Sequence, residues 1–328
     1  MNQAAEQLNV SEAELLAAHI DGKKTIRLTN DFKDLFKAIE RLGYVMALTR
    51  NNSVVHERKG EYHKISFDGH VGLVLDPNID LRIFINRFSF AYATQVETPK
   101  RTLRSIQFFD EFGTAVHKIY LMNEEHIETY HQVVSEFTAE DQTPEVHVQE
   151  GAAEEPTYES EIDESAFLED WANLQDTHDF YPLLRKYKVE RTHALEIAEG
   201  RFATKISNTK TREMLEKASE RQVPIMVFVS SRGVIQIHSG EVNKIKVMDN
   251  WLNVLDPEFN LHLREDHIAH SWIVEKPTED GIVTSLEIFD ADRKNIATFF
   301  GARKPGKPEL DSWKSLANDL LTREEELA

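Results

Sequence analysis

The sequence predicts an α+β protein made of two similar halves, each a large antiparallel β-sheet flanked by helices. Two observations lead to this prediction. Segments recur at a constant offset of 180 residues, and most of each copy consists of short β-rich runs separated by turn residues. Because the runs are too closely spaced for crossover helices, we expect neighbouring strands to be antiparallel.

The repeat extends over several blocks without a gap. LDP at 75–77 recurs at 255–257, and SIQFFDEFG at 105–113 recurs as SLEIFDADR at 285–293. A single register over so long a stretch indicates an internal duplication.

The individual elements follow from residue periodicity. The strands of the first copy are predicted at YVMALTRN, YHKISF, VGLVL, LRIFI, FAYATQV, LRSIQFFD and AVHKIYL. Those of the second copy are predicted at PIMVFVS, GVIQIHSG, WLNVL, NLHLRE, HSWIVEKP, VTSLEIFD and NIATFFG. Helices are predicted at 11–20, 30–41, 123–137, 164–181, 183–199, 210–220 and 309–325.

An acidic segment separates the two copies. Residues 140–164 contain ten acidic residues and no lysine or arginine. This composition is typical of a solvated linker, and an acidic interaction segment is the less favoured alternative. The predicted domains are the first repeat at 1–139, the linker, and the second repeat at 165–328.

Composition narrows the class of protein. The chain has 328 residues, which suggests two domains, and it has no cysteine, which excludes disulfides, thiolate catalysis and cysteine-ligated metal clusters. A net charge of −19 disfavours nucleic acid as a partner. The sequence begins without signal-peptide features, and no apolar run reaches the roughly 20 residues of a membrane span. We expect a soluble cytoplasmic protein.

The stretch NLQDTHDFYPLL, at 173–184, places a histidine on an apolar stripe. The stripe, spaced by three and four residues as on one face of a helix, consists of Phe167, Trp171, Leu174, His178 and Tyr181. An imidazole there must be hydrogen-bonded, exposed in a cleft, or bonded to a group absent from the sequence. The first copy has no counterpart of His178. Taken alone, a hydrogen-bonded core histidine is the commoner case.

A second candidate lies on the strand IDLRIFIN. Arg82 and Phe84 share one face of this strand, whereas Leu81 and Ile83 share the other. The residue equivalent to Arg82 in the second copy is His262. An arginine beside a phenylalanine indicates a mixed pocket, and we interpret it as one site per chain built from both halves.

Seven blocks of this sequence resemble the HemS/ChuS family of bacterial cytoplasmic hemin-utilisation proteins. They cover nearly the whole chain in order. The blocks are NNSVVHERKGEY, GHVGLVLDPNIDLRIFI, SIQFFDEFGTAVHKIYL, QDTHDFYPLLRKYKVER, PIMVFVSSRGVIQIHSGEV, WLNVLDPEFNLHL and EKPTEDGIVTSLEIFDADRKNIATFFG.

The resemblance implies haem as the cofactor and assigns roles to the candidates. His178 corresponds to the proximal ligand of the haem iron, and Arg82 to the distal, catalytic group. Arg191 and Lys276 correspond to the residues that bind the propionates. Phe84 is a plausible lining residue for the macrocycle, which requires an apolar cleft.

The chain departs from the family pattern in one segment. Where relatives carry Gln and Tyr, this sequence has Thr298 and Phe300. Phe300 has no hydroxyl for a propionate, so Arg303 or ordered water would compensate.

The remaining histidines are weaker candidates. His56 is expected to be an ordinary half-exposed strand histidine rather than a second haem contact. His267 and His270, three residues apart, have no evident third ligand for a metal.

Two functions fit the implied site. The first is degradation of haem to release iron, with an external electron donor. The second is a non-catalytic haem chaperone or storage protein. A structural module without haem ranks third. The implied partners are hemin, a haem importer or haem-accepting protein, and an electron donor, without nucleic acid or a membrane span.

Overall fold

The computed structural model describes residues 2–151, 157–159, 161–304 and 306–325. Within these residues the α-helices are α1 (Asn2–Leu8), α2 (Glu12–Ala17), α3 (Phe32–Ile39), α4 (Ile127–Glu136), α5 (Glu164–Ala172), α6 (Phe180–Tyr187), α7 (Arg191–Ile197), α8 (Lys210–Glu220) and α9 (Asp311–Glu325). None of these helices combines the length and apolar character needed to cross a membrane.

Most strands follow the predicted β-rich runs. Those of the first half are β1 (Thr25–Arg27), β2 (Val45–Arg50), β3 (Val54–Gly60), β4 (Ser66–Asp68), β5 (Val71–Leu75), β6 (Asp80–Phe84), β7 (Phe90–Glu97), β8 (Thr102–Phe109) and β9 (Ala115–Leu121). Those of the second half are β10 (Ala203–Ile206), β11 (Ile225–Ser230), β12 (Val234–Gly240), β13 (Ile245–Met248), β14 (Trp251–Leu255), β15 (Phe259–Arg264), β16 (His270–Thr278), β17 (Gly281–Phe289) and β18 (Asn295–Gly301). Strands β1, β3, β10 and β13 were not predicted, and the predicted run YHKISF at 62–67 contributes only its last two residues to β4.

The described strands form two sheets of nine strands each. The first sheet has the order β1-β7-β8-β9-β2-β3-β15-β14-β13, and the second has the order β10-β16-β17-β18-β11-β12-β6-β5-β4. The paired strands of both sheets are antiparallel, for example β7 with β8 and β16 with β17. The predicted α+β class with two large antiparallel sheets is confirmed.

The duplication is visible in the details of the strands. Strands β2 and β11 begin at Val45 and Ile225, 180 residues apart. A register shift occurs between Phe108 and Phe109 in β8 and at the equivalent place in β17. The two copies therefore share irregularities as well as strand positions.

The halves exchange strands. Strand β6 pairs with β12, with Arg82 opposite Ile235, and β15 pairs with β3, with His262 opposite Val55. Each sheet consequently combines six strands of one half with three of the other. The exchange carries Arg82 into the sheet that the second half dominates.

Each sheet buries one face against helices. In β11 the residues alternate between buried and half-buried, as expected for a strand with one covered face. Ile225 and Val227 belong to a core that includes Met214 of α8 and Trp313 of α9. In the first sheet, Val45 and Ala47 pack in the corresponding way in a core with residues of α3 and α4. The opposite face of each sheet is the less covered one.

The predicted helix at 164–181 is wrong, because the chain forms three shorter pieces. Helix α5 ends at Ala172, a 3-10 turn spans Thr177–Asp179, and α6 follows. Asp176 caps the turn with its carboxylate, and aspartate at such a position favours a new start over continuation of a helix. The predicted helix at 183–199 is likewise divided, because Lys188 adopts a left-handed conformation with φ of 49°.

The acidic segment begins as an ordered extension of the first half. The Arg27 guanidinium pairs with Asp141 at 2.9 Å and donates to the carbonyl of Thr143 at 2.8 Å. Gln142 accepts from the backbone N–H of Arg27 at 3.0 Å. The predicted solvated linker therefore starts with a docked portion, and residues 152–156 and 160 of the linker lie outside the described residues.

Candidate functional site

The less covered face of the second sheet carries a strip of mainly half-exposed residues, although Ile237 and Thr298 within it are buried. Directly paired residues of antiparallel strands point to the same side of a sheet. The pairs Phe228–Thr298, Phe228–Ile237 and Ile237–Asp80 therefore define one face across β18, β11, β12 and β6. We call this surface the cleft face; it consists of Asp80, Arg82, Phe84, Met226, Phe228, Ile235, Ile237, Thr298 and Phe300.

Helices α5 to α7 cover one end of the cleft face. Trp171 and Phe180 pack in a core with Trp272 and Val274 of β16. Beyond them Phe228 and Phe300, whose ring centroids lie 5.3 Å apart, remain only partly buried. A partly exposed apolar strip beside a helical wall is the usual form of a groove for an apolar ligand.

His178 lies on the 3-10 turn at the edge of this helical wall. Its side chain is 88% exposed, which corrects the expectation that it lies on the buried face of a helix. Because the turn begins at Asp176 rather than continuing α5, the apolar stripe ends at Leu174 and His178 points away from it. The structure supports two of the alternatives together, because the imidazole is both exposed and hydrogen-bonded to Asp176.

A carboxylate fixes the imidazole of His178. Asp176 accepts the backbone N–H of His178 at 2.8 Å, and the same oxygen contacts ring Nδ1. The pKa of Asp176 lies below its usual range, chiefly because the carboxylate accepts the backbone N–H of His178. The ring of His178 and the charge of Arg303 lower it further, so the carboxylate is ionised at neutral pH. With the proton on Nδ1, the lone pair of Nε2 is available to a metal.

Arg82 lies on β6 within the cleft face. Its guanidinium pairs with Asp80, which is two residues earlier on the same strand and therefore on the same face. About a third of the Arg82 side chain is exposed. The structure thus places Arg82 and His178 on opposite flanks of the half-exposed apolar strip, and Phe84 joins Arg82 on its side. Their roles toward haem stay predictions.

The two basic residues predicted to bind propionates share a buried carboxylate. Arg191 donates through Nε and Nη2 to Glu287 at 2.7 and 2.8 Å, and Lys276 donates to it at 2.7 Å. Burial alone would raise the pKa of Glu287, but the charges of Arg191 and Lys276 hold it far below its usual range. Two cations around one anion leave a net positive charge for an anionic group.

The two cations differ in their access to a ligand. Lys276 is 3% exposed and lies beneath the rings of Phe180 and Phe300, at 4.7 and 5.7 Å from their centroids. Arg191 is half-buried, and its Nη1 takes no part in the pair with Glu287. Arg191 is thus placed to reach a ligand directly, whereas Lys276 acts on the site through its charge.

Sequence reasoning missed Glu287, although a signal existed. An acidic residue within the apolar run VTSLEIFD is unusual for a strand, and a buried carboxylate requires cationic partners. The equivalent residue in the first copy is the neutral Gln107. A charge present in only one copy is a second signal that position 287 has a special role.

Thr298 and Phe300, which stand where relatives carry Gln and Tyr, both lie on the cleft face. Thr298 is buried and within 3.3 Å of the Asn295 amide. Phe300 adds its ring to the cleft face. Arg303 follows β18 and acts electrostatically on Asp176, so it lies close to the turn that carries His178. Its contact with a propionate stays a prediction.

The remaining histidines do not form a metal site. His56 is fully buried and its ring centroid lies 5.0 Å from that of Phe259, so the expectation of a half-exposed histidine is wrong; its partner strand β15 comes from the other half and helps to cover it. His267 Nδ1 lies 3.0 Å from the Ser53 hydroxyl. Across the part of the chain that the structure describes, no group of three or more His, Cys, Asp or Glu could hold a metal.

The family model of the haemin-degrading HemS.ChuX domain matches residues 9–137 and 188–320. The chain belongs to this HemS/ChuX family. The two matched segments are the two halves of the duplication, which confirms the resemblance inferred from the sequence. The stretch between them, which carries Asp176 and His178, lies outside both matches.

Individual relatives extend over nearly the whole chain. The hemin transport protein HemS of Yersinia enterocolitica is 37% identical over 313 residues, covering 94% of this chain and 89% of the relative. The hemin transport protein HmuS of Yersinia pestis is 35% identical over 321 residues, covering 98% and 92%.

Solved structures show the same fold. Holo-PhuS, a heme-binding protein from Pseudomonas aeruginosa, is 44% identical, covers 97% of this chain and 92% of its own, and superposes with a TM-score of 0.93. ChuS, described as a heme degrading enzyme of Escherichia coli O157:H7, is 32% identical, covers 97% and 93%, and gives a TM-score of 0.91.

Proposed function

We propose that this HemS/ChuX family member binds one haem per chain at the cleft face and degrades it to release iron. The observation that supports the proposal best is an exposed imidazole, oriented through Nδ1 by a carboxylate, at the edge of a half-exposed apolar sheet face. The names of the relatives agree, since PhuS is a heme-binding protein and HemS and HmuS are hemin transport proteins.

The residues fit the chemistry of haem. The macrocycle is flat and apolar, and a β-sheet face lined by Phe228, Ile235 and Phe300 offers a flat apolar surface. Neutral imidazole at His178 is a common axial ligand for haem iron. Arg191, with the net positive charge behind it, suits a propionate carboxylate.

In the degradation reaction that we propose, Arg82 acts as a hydrogen-bond donor on the distal side of the haem. When bound, haem supplies iron that activates oxygen or peroxide with electrons from an external donor. Arg82 carries N–H donors and no acceptor, so it can stabilise negative charge on the distal side but cannot remove a proton. Asp80 keeps the guanidinium on the cleft face. ChuS, which is described as a heme oxygenase, lends support to this reading.

The second candidate function is a carrier that passes haem to an acceptor protein. The exposure of His178 favours it, because an axial ligand on an open edge allows haem to leave without a large rearrangement. In both proposals the protein acts in the bacterial cytoplasm, with a haem importer or acceptor as partner; degradation also requires an electron donor.

Absorption spectroscopy separates the two functions. Titration of the full chain with hemin is expected to show one equivalent bound with a shifted Soret band, and ascorbate is expected to bleach that band faster than it bleaches free hemin. Two equal tight sites would contradict the single-site proposal. Bleaching no faster than free hemin, together with transfer to an acceptor such as apomyoglobin, would favour the carrier.

A further inference from the structure

The turn that carries His178 is organised around one carboxylate. Asp176 Oδ1 accepts the backbone N–H of His178 at 2.8 Å and contacts Nδ1 of the same residue. The backbone N–H of Asp176 in turn donates to the carboxylate of Asp179 at 3.0 Å, which closes a capping box. Because its backbone and its ring are bound to one oxygen, His178 has little freedom to rotate.

The turn is also tied to the sheet. The carbonyl of Gln175 accepts the backbone N–H of Glu279, between β16 and β17, at 2.9 Å. Phe180, which follows the turn directly, is buried against Trp171 with ring centroids 4.6 Å apart. The turn that carries Asp176 is therefore anchored on both sides while the imidazole itself remains exposed.

We propose that Asp176 is a positioning residue that orients His178 toward haem iron and tunes the strength of the axial bond. The inference rests on the proposed haem binding. A carboxylate that accepts the ring N–H makes a ligating imidazole more basic. A more basic ligand stabilises ferric iron more than ferrous iron, so Asp176 is expected to lower the ferric–ferrous midpoint potential.

The Asp176→Asn variant separates this electronic role from simple capping. Asparagine is as good a helix cap as aspartate, because its amide oxygen still accepts a backbone N–H, but it carries no charge. We expect the midpoint potential of the hemin complex to rise by about 60 mV or more, which is a tenfold change in the ratio of ferric to ferrous affinity for a one-electron couple. We also expect roughly 10–100-fold weaker hemin binding.

The matched control is Asp179→Asn. Asp179 belongs to the same capping box but accepts the N–H of Asp176 rather than the imidazole. It should leave both the midpoint potential and the iron–histidine stretching frequency of the ferrous complex at the parental values. In Asp176→Asn that frequency is expected to fall, because the axial bond weakens. If Asp176 only stabilised the turn, Asp176→Asn would change neither the midpoint potential nor the stretching frequency as long as the turn stays folded.

The outcomes separate the two proposals. If hemin binds through His178 in the parent, but Asp176→Asn has the parental potential and stretching frequency, Asp176 is not a positioning residue. Equal shifts in Asp176→Asn and Asp179→Asn would also overturn the inference, since they would report a disturbed turn. If His178→Ala leaves the hemin spectrum unchanged, the proposed function itself fails.

Discussion

The less covered faces of the two sheets are equivalent by the 180-residue repeat, yet they carry different chemistry. Where the cleft face has Arg82, Phe228 and Phe300, the first sheet has His262, Leu48 and Tyr120. We call this second surface the first-sheet face; it consists of Met46, Leu48, Val55, Glu57, Tyr120 and His262. The duplication produced two equivalent sheet faces, which now differ in the residues that line them.

Both faces contain a buried carboxylate between two cations, but in non-equivalent positions. On the first sheet Glu12 of α2 pairs with Arg50 and with Lys118, the latter at 2.9 Å. The repeat equivalent of Glu12 is Thr192, not Glu287. Burial alone would raise the pKa of Glu12, but these two cations lower it below its usual range. A buried charge cluster therefore does not distinguish the faces.

The turn at His178 does distinguish them. At the second sheet the turn presents the exposed imidazole of His178 at the edge of the helical wall. His262 lies within the sheet itself, with Nδ1 2.7 Å from the Asn253 amide oxygen. This difference supports the proposal that the turn, in addition to the sheet, provides the haem site at the cleft face.

The largest expected effect concerns the charge cluster of the second sheet. Glu287→Gln leaves Arg191 and Lys276 without their buried counter-charge, which is expected to lower the free energy of unfolding by about 3–5 kcal/mol. Urea denaturation measures the loss. The control Glu275→Gln, on the neighbouring strand at a half-exposed position, should change the free energy by less than about 0.5 kcal/mol. Equal stabilities of parent and Glu287→Gln would refute the cluster's role.

The next prediction tests whether the two faces differ in haem binding. His178→Ala removes the proposed axial ligand and should weaken hemin binding more than about 100-fold, since loss of an outer-shell partner alone costs roughly 10–100-fold. The matched variant His262→Ala, on the first-sheet face, should bind hemin like the parent. Titrations followed at the Soret band provide both values. If His262→Ala is the weaker binder, the assignment of the faces is reversed.

Arg82 tests catalysis on the cleft face. Arg82→Ala should keep most hemin binding but slow reductant-driven loss of the Soret band by roughly 10–150-fold, the equivalent of a charged hydrogen bond of about 1.5–3 kcal/mol. Arg264→Ala, which removes an arginine paired with Asp266 on the first sheet, should leave the rate unchanged. Parental rates in Arg82→Ala would exclude it as the distal catalytic group.

The smallest effect concerns pH. Burial holds the pKa of His56 in the folded protein well below its usual range, whereas in the unfolded chain the same imidazole takes up a proton near pH 6.5. The unfolded state then binds more protons, so stability falls as pH drops below about 6.5. His56→Gln, which installs the residue found at the equivalent position 236, should reduce the slope by up to about 1.4 kcal/mol per pH unit. Parallel stability curves for the two proteins between pH 6.5 and 5 would contradict this.

The sequence predicts most strands, because a strand is a local pattern of residues, but it missed β1, β3, β10 and β13. The exchange between halves could not be predicted from such patterns, because β6 and β15 have near-identical alternation and each could pair with β3 or β12. The structure pairs β6 with β12 and β15 with β3.

The candidate site was predicted in part. His178 and Arg82 were singled out by residue spacing, and their roles toward haem, which come from the resemblance, stay predictions. The break in the helix before His178 was missed, because spacing by three and four does not reveal where a helix stops. The capping potential of Asp176, two residues before the histidine, was the available signal. Glu287 and the burial of His56 depend on partners distant in sequence.

The strand exchange also constrains how the protein is made on the ribosome. Strands β4 to β6 are synthesised by residue 84, but their partner β12 begins only at Val234. At roughly 5–20 residues per second, the nascent chain waits roughly 8–30 s for these intervening residues. During that time β6 lacks its native partner, so its edge is open to pairing with β3 or with strands of other chains. Hence neither sheet can be completed during synthesis of the first half, because each contains strands of both halves.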